Sequence, residues 1–253
     1  MKIIIDGKQC ETQYGEYILD VARKNGIEIP TLCHSDALPG QGSCRLCIVE
    51  VVERKRSKVV TSCIFPITRE VEVFTKSEKI MSMRKTIVTL LVARAPQNEY
   101  MRRLKDEYGV PDEEIQRYNV DNKEECILCG LCVKACEEIG TNAISTVSRG
   151  VNKKISTPYD EPSANCIGCG ACSFVCPTGA IKMDDTFDTR TIWGKTFKLL
   201  QCKKCGGYFT TKDHFEYTAE KLNDSLIDVV CEECKKEIVA EKFKEVFENV
   251  NLK

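Results

Sequence analysis

Lys2–Ile5 is an apolar run rich in β-branched residues that ends at Asp6-Gly7, which predicts a strand and a tight turn. Apolar positions return at helical spacing across Tyr17–Asn25, and Gly26 stops that short helix. Ile48–Val52 predicts another strand, with one more before residue 63. In Glu78–Ala93 the residues Ile80, Met83, Ile87 and Leu90 line one face of a helix. That stripe is expected to be core between the domains on either side. Residues 96–125 are densely charged and predict a helical connector with Pro96 and Pro111 as its boundaries. Residues 186–198, with the lone Trp193, predict a strand-rich link. Near the end, Ile238, Val239, Phe243, Val246, Phe247 and Val250 share one helix face. That face is expected to pack on the module before it, with docking to another subunit as the alternative.

Composition narrows the class. At 253 residues the chain should hold two or three modest domains rather than one large core. Lys and Arg number 37 against 38 Asp and Glu, so no nucleic-acid or acidic-membrane partner is implied. The longest apolar stretch, around Ile87 to Ala93, is far too short to span a bilayer, so no membrane insertion is expected. The N-terminus turns polar after three apolar residues and does not read as a secretion signal. Seventeen cysteines in such a chain argue for metal ligation in a reducing cytoplasm, not for disulfides.

The cysteines are patterned. Cys126-Ile-Leu-Cys129-Gly-Leu-Cys132-Val-Lys-Ala-Cys136 is answered 40 residues later by Cys166-Ile-Gly-Cys169-Gly-Ala-Cys172-Ser-Phe-Val-Cys176-Pro177. Two copies of C-x2-C-x2-C-x3-C are the signature of a two-cluster ferredoxin domain. Three cysteines two residues apart wrap one corner of an iron–sulfur cube, and the fourth reaches the other cube. The expected ligand sets are therefore Cys126, Cys129, Cys132 and Cys176 for one [4Fe–4S] cluster, and Cys166, Cys169, Cys172 and Cys136 for the second. Gly130, Gly168 and Gly170 suit loops whose backbone must approach a cluster closely.

Upstream, Cys33, Cys44, Cys47 and Cys63 are spaced C-x10-C-x2-C-x15-C. A long loop carrying most ligands plus one distant ligand has the logic of a [2Fe–2S] site, and Gly40, Gly42 and Ser43 would let the loop fold over it. A zinc site is the alternative. Cys10 lies outside every quartet and reads as a small buried hydrophobe.

Ile29-Pro-Thr-Leu-Cys33-His and Gly42-Ser-Cys44-Arg-Leu-Cys47 resemble the N-terminal [2Fe–2S] domain of the complex I large iron–sulfur subunit. Iron-only hydrogenases and NAD-linked hydrogenase and formate dehydrogenase subunits share that domain. The resemblance covers about residues 1–185 and implies a β-grasp fold with Cys33, Cys44, Cys47 and Cys63 as [2Fe–2S] ligands. Such proteins often carry a further cluster, held by one His and three Cys after the helix. Here that segment reads Ala95-Pro-Gln-Asn-Glu-Tyr-Met-Arg-Arg, so that cluster is not expected. Glu137 also stands where Pro177 follows the second repeat.

Cys202-Lys-Lys-Cys205-Gly206 and Cys231-Glu-Glu-Cys234 are two C-x2-C knuckles and predict a zinc ribbon, with a third [4Fe–4S] cluster or a single iron as the alternatives. His214 is available as a substitute ligand but is expected to be exposed.

The expected architecture is α+β. It comprises a [2Fe–2S] β-grasp domain (1–77), a helical connector (78–120), a two-[4Fe–4S] ferredoxin domain (121–186) and a zinc-ribbon-like module with a C-terminal helix (187–253). The expected role is that of an electron wire without bond chemistry of its own, since the chain has neither G-x-G-x-x-G nor G-x-x-x-x-G-K-[ST]. By resemblance, its partners would be a flavin-containing NAD(P)H-oxidising subunit with a small [2Fe–2S] companion, and a catalytic hydrogenase or formate dehydrogenase subunit. Exchange with soluble ferredoxin is a further expectation. A free-standing multi-cluster ferredoxin or redox-sensing adaptor is the alternative reading.

Overall fold

The computed structural model describes residues 1–54, 56–116, 125–223 and 228–250, with the side chains of 245–250 left out. It divides into two compact units. One comprises Met1–Gly140, Ile144–Ser156 and Cys172–Ile181; the other comprises Thr141–Ala143, Thr157–Ala171 and Lys182–Lys253.

The first unit opens with the hairpin β1 (Lys2–Ile5) and β2 (Lys8–Glu11), turning at Asp6-Gly7 as the sequence predicts. Helix α1 (Ile18–Lys24) follows, then β3 (Ile48–Glu53), β4 (Arg56–Thr61) and β5 (Glu72–Phe74). These strands form one mixed sheet in the order β2-β1-β5-β3-β4, in which only β1 and β5 run parallel. Alternate strand residues Ile3, Ile5, Val49, Val51 and Val73 point to one face and pack against Ile18, Leu19, Val21 and Ala22 of α1. Each such fully buried side chain contributes about 1.5–3 kcal/mol. Cys10 lies wholly inside this core. Asp6 joins the ends of the two parallel strands by accepting the Thr75 N–H at 2.7 Å.

Helix α2 (Glu78–Arg94) begins at Ser77, whose hydroxyl accepts the Ile80 N–H. The buried face of α2 is not the expected one. Ile80, Arg84, Val88 and Val92 point inward, whereas Met83 and Leu90 are 40% and 47% exposed. Arg84 explains the change: its guanidinium bonds backbone carbonyls inside, so the inward face turns toward the i, i+4 series that contains it. The connector folds as α3 (Glu99–Glu107) and α4 (Asp112–Gln116), and its residues 117–124 lie outside the described ones. Helix α5 (Leu131–Ile139) and the hairpin β6 (Ser145–Val147) and β7 (Lys154–Ser156) complete the unit, together with part of α6 (Ala171–Phe174).

The second unit is built on a four-stranded antiparallel sheet of β8 (Met183–Asp185), β9 (Thr189–Ile192), β10 (Lys195–Gln201) and β11 (Tyr208–Thr211). The segment expected as a link is the body of this sheet. Trp193 and Gly194 both have positive φ, 53° and 72°, and form the two-residue turn that makes β9 and β10 a hairpin. Helices α7 (Lys212–Leu222) and α8 (Glu232–Val250) follow. On α8, Ile238 packs toward the preceding module, but Val239 and Phe243 are exposed; the side chains of Val246, Phe247 and Val250 lie outside the described ones. Among the described residues, no helix is long and apolar enough to cross a membrane.

Candidate functional site

None of the 17 cysteines is joined in a disulfide. In the first unit, the loop from Cys33 to Cys47 leads into β3, and Cys63 follows β4, so the β3–β4 pairing brings the loop and the distant cysteine together. Cys33, Cys44, Cys47 and Cys63 are all buried. They associate as two pairs. Cys47 Sγ lies 3.3 Å from Cys63 Sγ, and the Cys44 N–H donates to Cys33 Sγ at 3.3 Å. The Cys33 thiol holds Cys44 down to about 6, and the Cys63 thiol holds Cys47 down to about 7. Cys33 and Cys63 are pushed up in return, each first by the hydrogen bond it makes and then by burial.

Two pairs of buried sulfurs suit a centre of two irons, each taking two thiolates. The loop geometry fits as well. A Cβ on Gly40 would lie 2.8 Å from Ile64 Cγ2 and 3.0 Å from the Cys63 carbonyl, so this loop closes directly onto the segment of the fourth cysteine. Arg84 lies behind it, donating from Nε to the Leu46 carbonyl (3.1 Å) and from Nη2 to the Ile48 carbonyl (2.7 Å).

Cys126, Cys129 and Cys132 surround the turn that enters α5, and Leu128 and Gly130 supply its left-handed backbone. Burial first, and neighbouring thiolates next, push Cys129 up to about 11 and Cys132 up to about 12. Cys176 is among the neighbours of both, although it belongs to the second repeat. Burial raises the Cys176 thiol, but the Thr178 hydroxyl and the N–H groups of Thr178, Ile181 and Ala180 outweigh it and bring it below the ordinary range. Cys132 also feels Cys172, so sulfurs of both repeats crowd here, which fits a cubane whose iron core would offset part of their charge. Asn98, in the segment where relatives of the resembled family carry a cluster, donates Nδ2–H to the Thr178 carbonyl at 2.6 Å and caps α3 with its Oδ1. Arg94 donates to the Cys126 carbonyl at 3.4 Å.

The two cysteine groups meet. Leu32, Cys33, Cys44 and Leu46 share one core with Ile127, Cys129 and Leu131, and Cys44 is one of the charges that Cys129 feels. Gln41, which the sequence did not single out, lies against Gly130. Cys136 and Cys172 also belong to this unit.

In the second unit, three donors from the sheet pin the loop of Cys166 and Cys169. Lys195 Nζ reaches the Cys166 carbonyl (2.6 Å), Thr211 Oγ1 the Ile167 carbonyl (2.5 Å) and Arg190 Nη1 the Gly168 carbonyl (3.2 Å). Arg190 is itself held by both oxygens of Asp185, at 2.8 and 2.7 Å.

Cys202 and Cys205 lie in the β10–β11 turn, whereas Cys231 precedes α8 and Cys234 sits in its first turn. The second knuckle is thus a helix start and not another hairpin. The four sulfurs lie within 4.8 Å of one another. Zn–S bonds of about 2.3 Å separate tetrahedral ligands by about 3.8 Å, and Cys205 Sγ and Cys231 Sγ are 3.8 Å apart. The N–H groups of Cys205 and Cys231 hold the Cys202 thiol down to about 6. This donor set fits one metal ion. His214 stands apart from it: it is half-buried, not exposed, with Nδ1 2.9 Å from Thr210 Oγ1.

Comparison with known proteins matches two segments of the chain. Residues 1–78 match the 2Fe-2S iron–sulfur cluster binding domain, and residues 120–183 match the 4Fe-4S dicluster domain. The NADP-reducing hydrogenase subunit HndD of Solidesulfovibrio fructosivorans is 30% identical over 72% of this chain and 36% of its own. The NADPH-Fe(3+) oxidoreductase subunit alpha of Geobacter sulfurreducens is 35% identical over 72% of this chain and 24% of its own. The chain therefore spans little more than a third of these curated relatives at most. A solved NAD+-reducing [NiFe]-hydrogenase contains a chain that superposes with a TM-score of 0.60 at 25% identity, covering 71% of this chain and 85% of that one. The chain thus carries a 2Fe-2S cluster binding domain and a 4Fe-4S dicluster domain and is related to subunits of NAD(P)H-linked hydrogenases and of complex I-type oxidoreductases.

Proposed function

We propose that the chain is the electron-relaying subunit of a multisubunit NAD(P)H- or ferredoxin-linked oxidoreductase of the hydrogenase or formate dehydrogenase type. Its proposed [2Fe–2S] ligands are Cys33, Cys44, Cys47 and Cys63, held on a β-grasp domain. Cys126, Cys129, Cys132 and Cys176 would hold one [4Fe–4S] cluster; from the repeat spacing, Cys166, Cys169, Cys172 and Cys136 would hold the second. Bound there, the clusters would supply one-electron redox steps. The residues around them fix the thiolates, exclude water and offset the charge. Cys202, Cys205, Cys231 and Cys234 would hold a structural zinc in a ribbon whose second knuckle is a helix turn.

The observation that carries this reading is the shared core of the Cys33/Cys44 pair and Cys129. Two redox centres in van der Waals continuity form a path, whereas a storage or sensing site needs only one. A flavin-containing NAD(P)H-oxidising subunit, its small [2Fe–2S] companion and a catalytic subunit are the proposed partners, and the names of the relatives support that class.

Size-exclusion chromatography of native extract, followed by assay, tests the proposal. The chain should elute in a large assembly that reduces NAD(P)+ or ferredoxin. The isolated chain should accept electrons from dithionite but should not oxidise NAD(P)H, H2 or formate. Elution as a monomer that exchanges electrons freely would favour the free-standing ferredoxin, and turnover of any of those donors by the chain alone would contradict both readings.

A further inference from the structure

Among the described residues, Arg84 is the largest of the fully buried side chains. Its sequence neighbours on α2 give no reason for a cation there, since Ile80, Val88 and Val92 share its inward face. An isolated charge taken out of water is costly and normally carries a carboxylate partner. Among the described residues, no carboxylate forms an ion pair with Arg84: it donates to the carbonyls of Leu46 and Ile48, with the phenol of Tyr108 beside it. Burial keeps that phenol protonated, so it supplies no countercharge. The one carboxylate that acts on Arg84 through space is Asp6, and only weakly. Leu46 and Ile48 flank Cys47 on either side, so the guanidinium fork grips the backbone of that one cysteine.

We infer that Arg84 is a positioning residue of the [2Fe–2S] centre, whose fixed charge is the counter-ion of the Cys47 side of the cluster and raises its midpoint potential. The inference rests on the proposed [2Fe–2S] ligation. Four thiolates leave an oxidised [2Fe–2S] centre with a net charge of about −2, and one-electron reduction adds another negative charge. A buried cation favours the more negative form, because a low-dielectric surrounding screens it little. The cluster in turn supplies the anion that makes burial of Arg84 tolerable. The two are complementary.

The test is an EPR-monitored redox titration of anaerobically prepared full-length holoprotein, comparing wild type with Arg84→Gln and Arg84→Lys. Arg84→Gln should disfavour reduction of the [2Fe–2S] centre at least tenfold, which for one electron is about 59 mV of lowered midpoint. Arg84→Lys, which retains the charge but not the fork, should stay within about threefold, or about 30 mV, of wild type. The [4Fe–4S] midpoints should not follow. An intact [2Fe–2S] signal with an unmoved midpoint in Arg84→Gln would overturn the inference. If Arg84→Gln fails to assemble the centre, Arg84→Lys decides: assembly with lysine supports a requirement for charge, and loss in both variants shows that only the shape of arginine matters. Absence of any [2Fe–2S] signal in wild type would instead defeat the ligand assignment itself.

Discussion

A Cβ on Gly130 would stand 2.7 Å from Oε1 of Gln41. Gly130 caps α5 between Cys129 and the helix, with φ at 81°, and Gln41 belongs to the loop between Cys33 and Cys44. The loops of the two proposed centres therefore touch, and a methyl group at Gly130 would have to displace the end of the Gln41 side chain. Close approach is what a relay needs, and the left-handed turn at Gly130 brings the two loops into contact.

Gly130→Ala should accordingly loosen both centres. A left-handed backbone costs a non-glycine residue about 1–2 kcal/mol, and the collision with Gln41 adds to it. Anaerobic thermal bleaching of the cluster absorbance should shift to lower temperature. Adding Gln41→Ala should recover only the collision, because the backbone conformation is unchanged. Full recovery in the double variant would show that φ at Gly130 is immaterial.

Cys176→Ser should damage the cluster of Cys126, Cys129 and Cys132, although Cys176 lies in the other repeat. The basis is the repeat spacing, in which the fourth cysteine serves the other cluster, together with the Cys176 charge that Cys129 feels. By the reciprocal spacing, Cys136→Ser should damage the cluster of Cys166, Cys169 and Cys172. Selective labelling or site-resolved spectra would show which centre each serine perturbs, and damage confined to each serine's own repeat would contradict the crossover.

Much of this was legible in the sequence. Tyr17–Asn25 and Asp6-Gly7 announce themselves through period and glycine, and the cysteine spacings are rigid because a cluster fixes the distances between its ligands. What escaped was set by tertiary contacts. Apolar spacing on α2 selects Ile80, Met83, Ile87 and Leu90; Ile80 is buried and Ile87 partly so, but nothing in that pattern says that a buried arginine will turn Met83 and Leu90 outward. Gln41 is a polar loop residue without periodicity. The second knuckle reads alike on a hairpin or a helix start, since C-x2-C fits both.

His214 gives the second unit a pH dependence. Burial first, and the Arg190 charge next, hold its imidazole below the ordinary value of 6.5. Above that value both folded and unfolded states are neutral here, and stability is unaffected. Below it the unfolded chain takes up the proton before the folded one does, so stability is lost as the pH falls. The thermal midpoint of wild type should therefore drop more than that of His214→Gln between about pH 7.5 and about pH 5.5. Parallel curves would refute this.

Cys234→Ala should release the metal proposed at the C-terminal site and loosen α8, because Cys234 is buried in the same cluster as Cys202 and Val230. Zinc content should fall from about one per chain to near zero, with lower far-UV helicity and an unchanged [2Fe–2S] spectrum. Retention of zinc would contradict the four-cysteine site.

The central claim is a chain of three clusters in which the first two lie side by side. Iron analysis combined with EPR of the anaerobic, dithionite-reduced holoprotein tests it most directly. The expected result is about 10 Fe per chain, as one [2Fe–2S] and two [4Fe–4S] centres. The [2Fe–2S] signal should be broadened by magnetic interaction with a neighbouring cubane. About 14 Fe without zinc would make the C-terminal site a further cluster, and a [2Fe–2S] signal free of any interaction would contradict the adjacency on which the relay depends.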